Sequence, residues 1–443
     1  MAQNNLLTPS TLTIPQPGQS RGLGRLIGAS AALAAAELST MADGPLLVLA
    51  DDPRHADQLE AEIRFFAGDA VDVRHFVEWE TLPWDSFSPH QDIISERLSV
   101  LATLQNLRSG VVVASAPVLL QRLPPLDYVA ARSLSLRSGQ TLPREAFIDS
   151  LAAAGYLRLP QVGEHGEFAV RGSLIDVFPM GSPRPIRIDF FDDEVETLRY
   201  FSPESQLSAE VIDAVDVLPA REIPLDEDSI RAFRERYRER FEGQPGKSRV
   251  YREVSDGIAH GGIEYYLPLF FETTASLSDY LPANCVVLAS HALESVLERS
   301  WAEIEERYEL CRLDRERPIL SAHETFYAPA DVLAPLARQP QLRFSAQSLA
   351  EHRDNLNLAT RLPPALKVEA RYEDAAGALM GFLDSFDGRV LFTSDSAGRR
   401  EQIYDLLSGR GLDLERADDW AAFAASDQRV GVAIAPLENG VVL

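Results

Sequence analysis

Ile186-Arg187-Ile188-Asp189-Phe190-Phe191-Asp192-Asp193-Glu194-Val195-Glu196-Thr197-Leu198-Arg199-Tyr200 is the stretch on which the reading of this fold turns. Its first six residues alternate with a period of two, as a half-buried strand does. Ile186, Ile188 and Phe190 form the inward face, while Arg187 and Asp189 point outward and carry Phe191 out with them. Asp192-Asp193 supplies a tight turn. The chain then returns as a strand in which Val195, Thr197 and Arg199 oppose Glu196, Leu198 and Tyr200. Upstream, Glu167-Phe-Ala-Val-Arg-Gly-Ser-Leu-Ile-Asp-Val-Phe-Pro179 reads as another strand pair, with Gly172 at a bend or bulge. An aromatic flanked by arginines on an outer sheet face has the composition of a protein-docking anchor. The competing reading covers Phe191 with another element of the same chain.

Outward from this block the pattern changes. Pro45 to Ala50 (PLLVLA) and Gly110-Val-Val-Val-Ala-Ser115 are short apolar runs, hence buried strands. Asp52-Pro53 opens a helix with Leu59, Ile63 and Phe66 on one face, and Gly68 ends it. Strands alternating with helices imply a parallel α/β sheet, so residues 32–132 read as one such unit. Residues 133–218, with a helix at Arg144–Ala154 and the strands above, read as an α+β insert. A charged helix follows at Asp226–Gly243, with Ile230, Phe233, Tyr237 and Phe241 as its apolar face. Next come a strand at Cys285–Leu288 and a helix at Leu293–Tyr308. Residues 1–31 and 219–356 are assigned to the same larger module. Residues 357–443 form a separate small α/β unit, with a strand from Val390, a helix at Gly398–Ser408 and a strand at Val430–Ile434. The ending Val441-Val442-Leu443 has neither a capped helix nor a polar tail, and reads as cut from a longer protein.

The length of 443 residues suits two to four domains. Acidic residues number 67 against 42 basic ones, a net charge of −25, so most of the surface repels a phosphate backbone. Two cysteines, Cys285 and Cys311, without CxxC spacing exclude a zinc ribbon or a disulfide scaffold and suit a reducing cytoplasm. No apolar run reaches the roughly 18 residues of a membrane span. Leu26–Leu38 follows a polar stretch and carries Glu37, so it reads as a helix, not a signal peptide.

Catalytic motifs fail one by one. Gly243-Gln-Pro-Gly-Lys-Ser248 has the tail of a phosphate-binding loop, but Phe241 stands where its first glycine belongs, and a charged helix precedes it in place of a strand. Ile27-Gly28-Ala29-Ser30-Ala31-Ala32 opens a helix beside an α/β sheet but carries no lysine. Lys247 and Lys367 are the only lysines of the chain, so no lysine can neutralise phosphates anywhere in its first 246 residues. His90, Asp92, Glu96 and Asp85 read as an acidic helix start, because a lone histidine among carboxylates lacks a convergent ligand set. Cys285 sits in an apolar strand as a core residue. His165, beside Glu164 and Glu167, reads as a strand-edge residue.

Three long motifs carry a resemblance: Leu82-Pro-Trp-Asp-Ser-Phe-Ser-Pro-His-Gln-Asp-Ile-Ile-Ser-Glu-Arg-Leu98, Glu164-His-Gly-Glu-Phe-Ala-Val-Arg-Gly-Ser-Leu-Ile-Asp-Val-Phe-Pro-Met180 and Arg187-Ile-Asp-Phe-Phe-Asp-Asp-Glu194. With Gly262-Ile-Glu-Tyr-Tyr266 and Tyr280-Leu-Pro-Ala-Asn284, they resemble the N-terminal part of the bacterial transcription-repair coupling factors (Mfd), which is itself similar to the repair protein UvrB. The resemblance implies a degenerate UvrB/helicase-like parallel α/β domain interrupted by an α+β insert, plus a small C-terminal α/β domain. It implies that the insert docks UvrA, and places the contact on Arg171, Arg187 and Phe191. Where UvrB-like proteins carry Gly-Ser-Gly-Lys-Thr and an Asp-Glu pair, this chain has Gly28-Ala-Ser-Ala31-Ala32 and Ala289-Ser290, so both halves of an ATP site are degenerate. The Tyr-rich hairpin that UvrB threads into DNA has no counterpart; Trp79–Ser88 is too short and too poor in tyrosine. The expectation is therefore a non-catalytic recruitment module without cofactor. ATP, Mg²⁺, RNA polymerase and double-stranded DNA are expected to engage further domains beyond Leu443, and the family's C-terminal domain is an expected intramolecular partner. The alternatives are an active UvrB-class ATPase and nuclease subunit, or a purely intramolecular regulatory clamp.

Overall fold

The computed structural model describes residue 7 and residues 12–314, 316–364 and 377–443. Lys367 lies outside these. The first elements are β1 (Ser20–Gly24), α1 (Ser30–Met41), β2 (Leu46–Ala50), α2 (Pro53–Ala67), β3 (Val73–Phe76), α3 (Gln91–Leu104) and β4 (Val111–Ser115). Next come α4 (Tyr128–Arg132), β5 (Leu134–Arg137), α5 (Arg144–Ala153), β6 (Leu157–Arg158), β7 (Glu167–Arg171) and β8 (Leu174–Val177). These are followed by β9 (Ile186–Phe191), β10 (Glu194–Phe201), β11 (Ser208–Ile212) and β12 (Ala214–Val217). Three more strands, β13 (Val286–Ser290), β14 (Gln341–Phe344) and β15 (Asn355–Asn357), precede the last unit, which holds β16 (Val390–Ser394), β17 (Glu415–Arg416) and β18 (Val430–Ile434).

The large sheet is parallel throughout, in the order β15-β1-β14-β13-β2-β4-β3. It draws strands from both sides of the insert, so residues 20–24 and 286–357 complete the layer begun by residues 46–115. Its central strands are buried on both faces: Leu46, Val48 and Ala50 pack beneath α1 and α2, while Leu47 and Leu49 enter a second core on the opposite face. That double burial is why these runs read as unbroken apolar stretches. Asp52 caps α2 by accepting from the His55 N–H, Pro53 stands in the first turn, and Gly68 ends the helix at φ +59°. The second core continues without a break into the insert, through Phe147, Leu151, Phe168, Ile186, Ile188 and Phe190. Of the expected apolar face on the helix Glu227–Arg240, Phe233 and Tyr237 are fully buried. The C-terminal unit is a parallel three-stranded sheet, β16-β18-β17, with a core of its own.

The insert sheet runs β11-β10-β9-β8-β7-β6, with β7 to β11 antiparallel. One expectation changes here. Strict alternation along β10 would place Val195 and Leu198 on opposite faces, yet both are buried inside. An extra residue lies between the pairs Val195↔Phe190 and Thr197↔Asp189. This bulge resets the side-chain parity, so both apolar residues reach the core.

Candidate protein-docking site

Two tight turns build the candidate docking face. Gly172-Ser173 joins β7 to β8, with Gly172 at φ +61°, and Asp192-Asp193 joins β9 to β10, with Asp192 at φ +53°. Both first turn positions are left-handed, which glycine tolerates freely and aspartate better than most residues. Directly opposed strand residues share a face, so Ala169, Asp176, Arg187, Arg199 and Val211 form one outer row, and Arg171, Leu174, Asp189 and Thr197 the next. Phe191 stands beyond them at the hairpin tip and is 69% exposed. No other element of the described chain covers it. The segment Gly139–Arg144 holds the hairpin from behind, through Gly139 N–H to Val195 O (2.8 Å), Leu142 N–H to Asp193 O (2.6 Å) and Val195 N–H to Gln140 O (2.9 Å). Beneath it, Phe190 turns inward against Phe147 of α5, ring centroids 6.2 Å apart.

The arginines are not alike. Arg187 donates Nε–H to Asp176 Oδ1 (2.7 Å), Nη2–H to Asp176 Oδ2 (2.9 Å), and both Nη1 hydrogens, to Gln206 O and Ser208 Oγ (3.2 Å each). Of the five N–H groups of a guanidinium, one is left. Asp176 beside it holds the Arg187 guanidinium above its usual pKa. The fork of Arg187, one of the three positions on which the resemblance places the partner contact, is thus filled from within. Arg171, 43% exposed, uses only Nη2, against Gln206 Oε1 (2.9 Å) and Asp176 Oδ2 (3.1 Å). Its Nε and Nη1 groups make no hydrogen bond among the described residues. Sequence reasoning missed Asp176 and Gln206. The Ile175-Asp176-Val177 alternation could have placed the carboxylate outward, opposite Arg187. Nothing local marks Gln206, which reaches the cluster on a loop at φ +59°, tied by its Nε2 to Pro203 O (2.8 Å) and Val162 O (3.3 Å).

The insert is fastened to the large domain at α3. Ser95 Oγ accepts from the Gly181 N–H (2.8 Å), and His165 sits with Nδ1 2.6 Å from Asp92 Oδ1 and Nε2 2.8 Å from Ser182 O. Wholly buried Arg97 donates to Glu222 Oε1 (2.5 Å), which closes the insert, and to Val77 O (2.7 Å). Asp92 thus faces the insert, His90 starts α3 by accepting from the Asp92 N–H, and Asp85 pairs with Arg307.

The degenerate loop Gly28–Ala32 is filled by the chain itself. Arg25, Leu26, Ile27 and Ala29 donate their N–H groups to Gln347 O, Ser345 O, Thr360 Oγ1 and Asn439 O. A Cβ on Gly28, at φ +58°, would lie 2.4 Å from Gly440 O. The carbonyls of Asn439 and Gly440 therefore stand where a phosphate loop offers N–H groups to its anion. Ala31, Ala32 and Ala289 are buried, and Ser290 Oγ merely accepts from the Ala292 N–H (3.1 Å). Ser248 of the Gly-Lys-Ser run caps the helix Arg249–Ser255 by accepting from the Tyr251 N–H.

The segment Trp79–Ser88 is clamped flat. Tyr265 Oη donates to Leu82 O (2.8 Å), Arg307 Nε to Pro83 O (2.8 Å) and Arg317 Nη1 to Trp84 O (2.6 Å), while Trp84 itself is buried. Gly262, at φ +78°, lets this segment pass, since a Cβ there would lie 2.1 Å from Asp85 O. Ser88 Oγ donates to Glu264 (2.8 Å), whose carboxyl burial pushes up to about 7. From pH 4.5 to about 7 the folded chain holds a proton that the unfolded chain has released, so stability falls as pH rises through that window. Glu264→Gln removes that loss: thermal melts at several pH values show wild type losing stability relative to the variant between those limits, and parallel curves would refute it.

Residues 134–223, which contain Arg171, Asp176, Arg187 and Phe191, match the family model described as UvrB interaction domain, and residues 382–443 match MFD, D3 domain. The chain is 39% identical over 398 residues to the transcription-repair-coupling factor of Escherichia coli (strain K12), an alignment covering 89% of this chain and 34% of that protein. It is 35% identical over 429 residues to the transcription-repair-coupling factor of Haemophilus influenzae, covering 97% of this chain and 37% of that protein. With the protein of the same name from Myxococcus xanthus, identity is 32% over 315 residues, or 64% of this chain and 26% of that protein. The chain spans about a third of the length of these first two relatives.

Proposed function

Because this chain belongs to the family of transcription-repair coupling factors, we propose that it serves transcription-coupled repair as a non-catalytic module whose α+β insert recruits UvrA. The observation that carries this reading is Phe191: a large ring held out at a rigid hairpin tip, with open N–H groups of Arg171 on the same face. Apolar anchors beside arginine are what protein interfaces concentrate their energy in. In the intact protein, further domains bind RNA polymerase and drive ATP-dependent movement on double-stranded DNA, and a C-terminal domain engages the same docking face intramolecularly.

Two features support the absence of catalysis. The phosphate loop is occupied by Asn439 and Gly440, and no lysine precedes residue 247. The flattened Trp79–Ser88 segment offers no hairpin to thread into DNA. ATP with Mg²⁺ is accordingly expected to leave the melting temperature unchanged and to be turned over no faster than in buffer. Either a nucleotide-dependent shift or measurable turnover would favour a UvrB-class ATPase. Titration with purified UvrA tests recruitment: saturable binding supports it, and its absence leaves the face to contacts within the full-length protein.

A further inference from the structure

Asp176 is the one acidic group of the docking face that is withdrawn from solvent, at 1% exposure, and it touches both arginines. Its two oxygens fill the fork of Arg187, whose Cζ also lies 4.9 Å over the ring of Phe201. Phe201 in turn packs with Val162, Ala169 and Phe178 in a small core on this face of the sheet. A buried carboxylate that lost this partner would be left poorly compensated, so the pair stays closed when a second protein arrives. Gln206 completes the lock: its carbonyl holds Arg187 Nη1 and its side-chain oxygen orients Arg171 Nη2. What remains open toward solvent are the Nε and Nη1 groups of Arg171, across the strands from the Phe191 hairpin.

We infer that Asp176 is the positioning residue of this face: it retains Arg187 as an internal strut, so that Arg171 is the arginine that receives a carboxylate of the partner. The inference rests on the docking function proposed above and deepens it. It specifies the partner surface as an acidic side chain beside an apolar cleft that takes the Phe191 ring. A charge-assisted contact of Arg171 is exposed and salt-sensitive; the Arg187–Asp176 pair is buried and screened much less.

The test is titration of the 443-residue chain with purified UvrA at low and high salt, alongside thermal melts. Arg171→Ala is expected to weaken binding about tenfold, to flatten its salt dependence, and to leave the melt unchanged. Arg171→Lys restores most of the affinity, because a point charge suffices there. Arg187→Ala and Arg187→Lys both lower the melting temperature and weaken binding while its salt dependence persists, since lysine cannot fill two carboxylate oxygens at once. Asp176→Asn weakens binding about tenfold with the salt dependence retained. If Arg187→Ala flattens the salt dependence more than Arg171→Ala does, or if Asp176→Asn folds and binds like wild type, the inference is overturned. Should Asp176→Asn fail to fold, the salt comparison of the two arginine variants decides alone. Phe191→Ala separates the two levels. If it too binds like wild type, UvrA docks elsewhere and this face is not the docking site; if it alone weakens binding, only the assignment of Asp176 and Arg171 falls.

Discussion

Phe191→Ala weakens UvrA binding by about 2 kcal/mol or more, roughly thirtyfold in Kd, and leaves folding untouched. The two halves of this expectation have separate causes. Folding survives because the ring is already 69% exposed and contributes little to any core; its neighbour Phe190 is the one that packs against Phe147. Binding suffers because burying an aromatic of this size removes a large apolar area from water. The hairpin supports the ring without reorganisation: β10 returns across a two-residue turn, and Gly139–Arg144 hydrogen-bonds its outer flank. Little entropy is then lost when the ring docks. Calorimetric titration with UvrA, with circular dichroism as the check on folding, measures both halves. Unaltered affinity would remove the ring from the interface, and a collapsed fold would make it a core residue.

Arg97→Ala is expected to destabilise the chain by about 3–5 kcal/mol, the usual cost of orphaning a buried charge. Both members of the pair are enclosed, Arg97 at 0% and Glu222 at 2% exposure. The guanidinium stacks 4.5 Å from the Phe76 ring centroid and 5.1 Å from that of Trp79, whose Nε1–H also donates to Glu222 (3.1 Å). Alanine leaves Glu222 facing an apolar surround with only the indole as donor. The location makes the loss more than local. Glu222 lies where the insert rejoins the large domain and Arg97 lies on α3, so the bond fixes one unit against the other. Urea unfolding reads the effect as a lowered midpoint. A shift under about 1 kcal/mol would mean that water enters and solvates the carboxylate.

Much of this fold is legible because its signals are local. The paired apolar runs at residues 46–50 and 111–115 announce a doubly covered parallel sheet, and Asp52-Pro53 to Gly68 announces one helix from cap to cap. The outward position of Phe191 follows from counting by two along β9. Counting fails on β10, where one bulge residue moves Leu198 from the outer to the inner face, since no local composition marks a bulge in a strand without glycine. It fails again for the large sheet, three of whose seven strands arrive after an insert of about 90 matched residues.

By itself the amino-acid order determined what this chain lacks and what it displays: no lysine in reach of a phosphate loop, and an aromatic assigned by strand parity to the side facing water. Those are properties of residue identity and of a two-residue period, which need no knowledge of distant segments. Only the tertiary structure decided that Asn439 and Gly440 seal the vacated loop, that Asp176, Gln206 and Ser208 fill four of the five N–H groups of Arg187, and that Arg171 keeps its Nε and Nη1 groups open. Each of those depends on which groups meet across tens to hundreds of residues, and hydrogen-bond capacity is spent on whichever partner the packed chain brings closest.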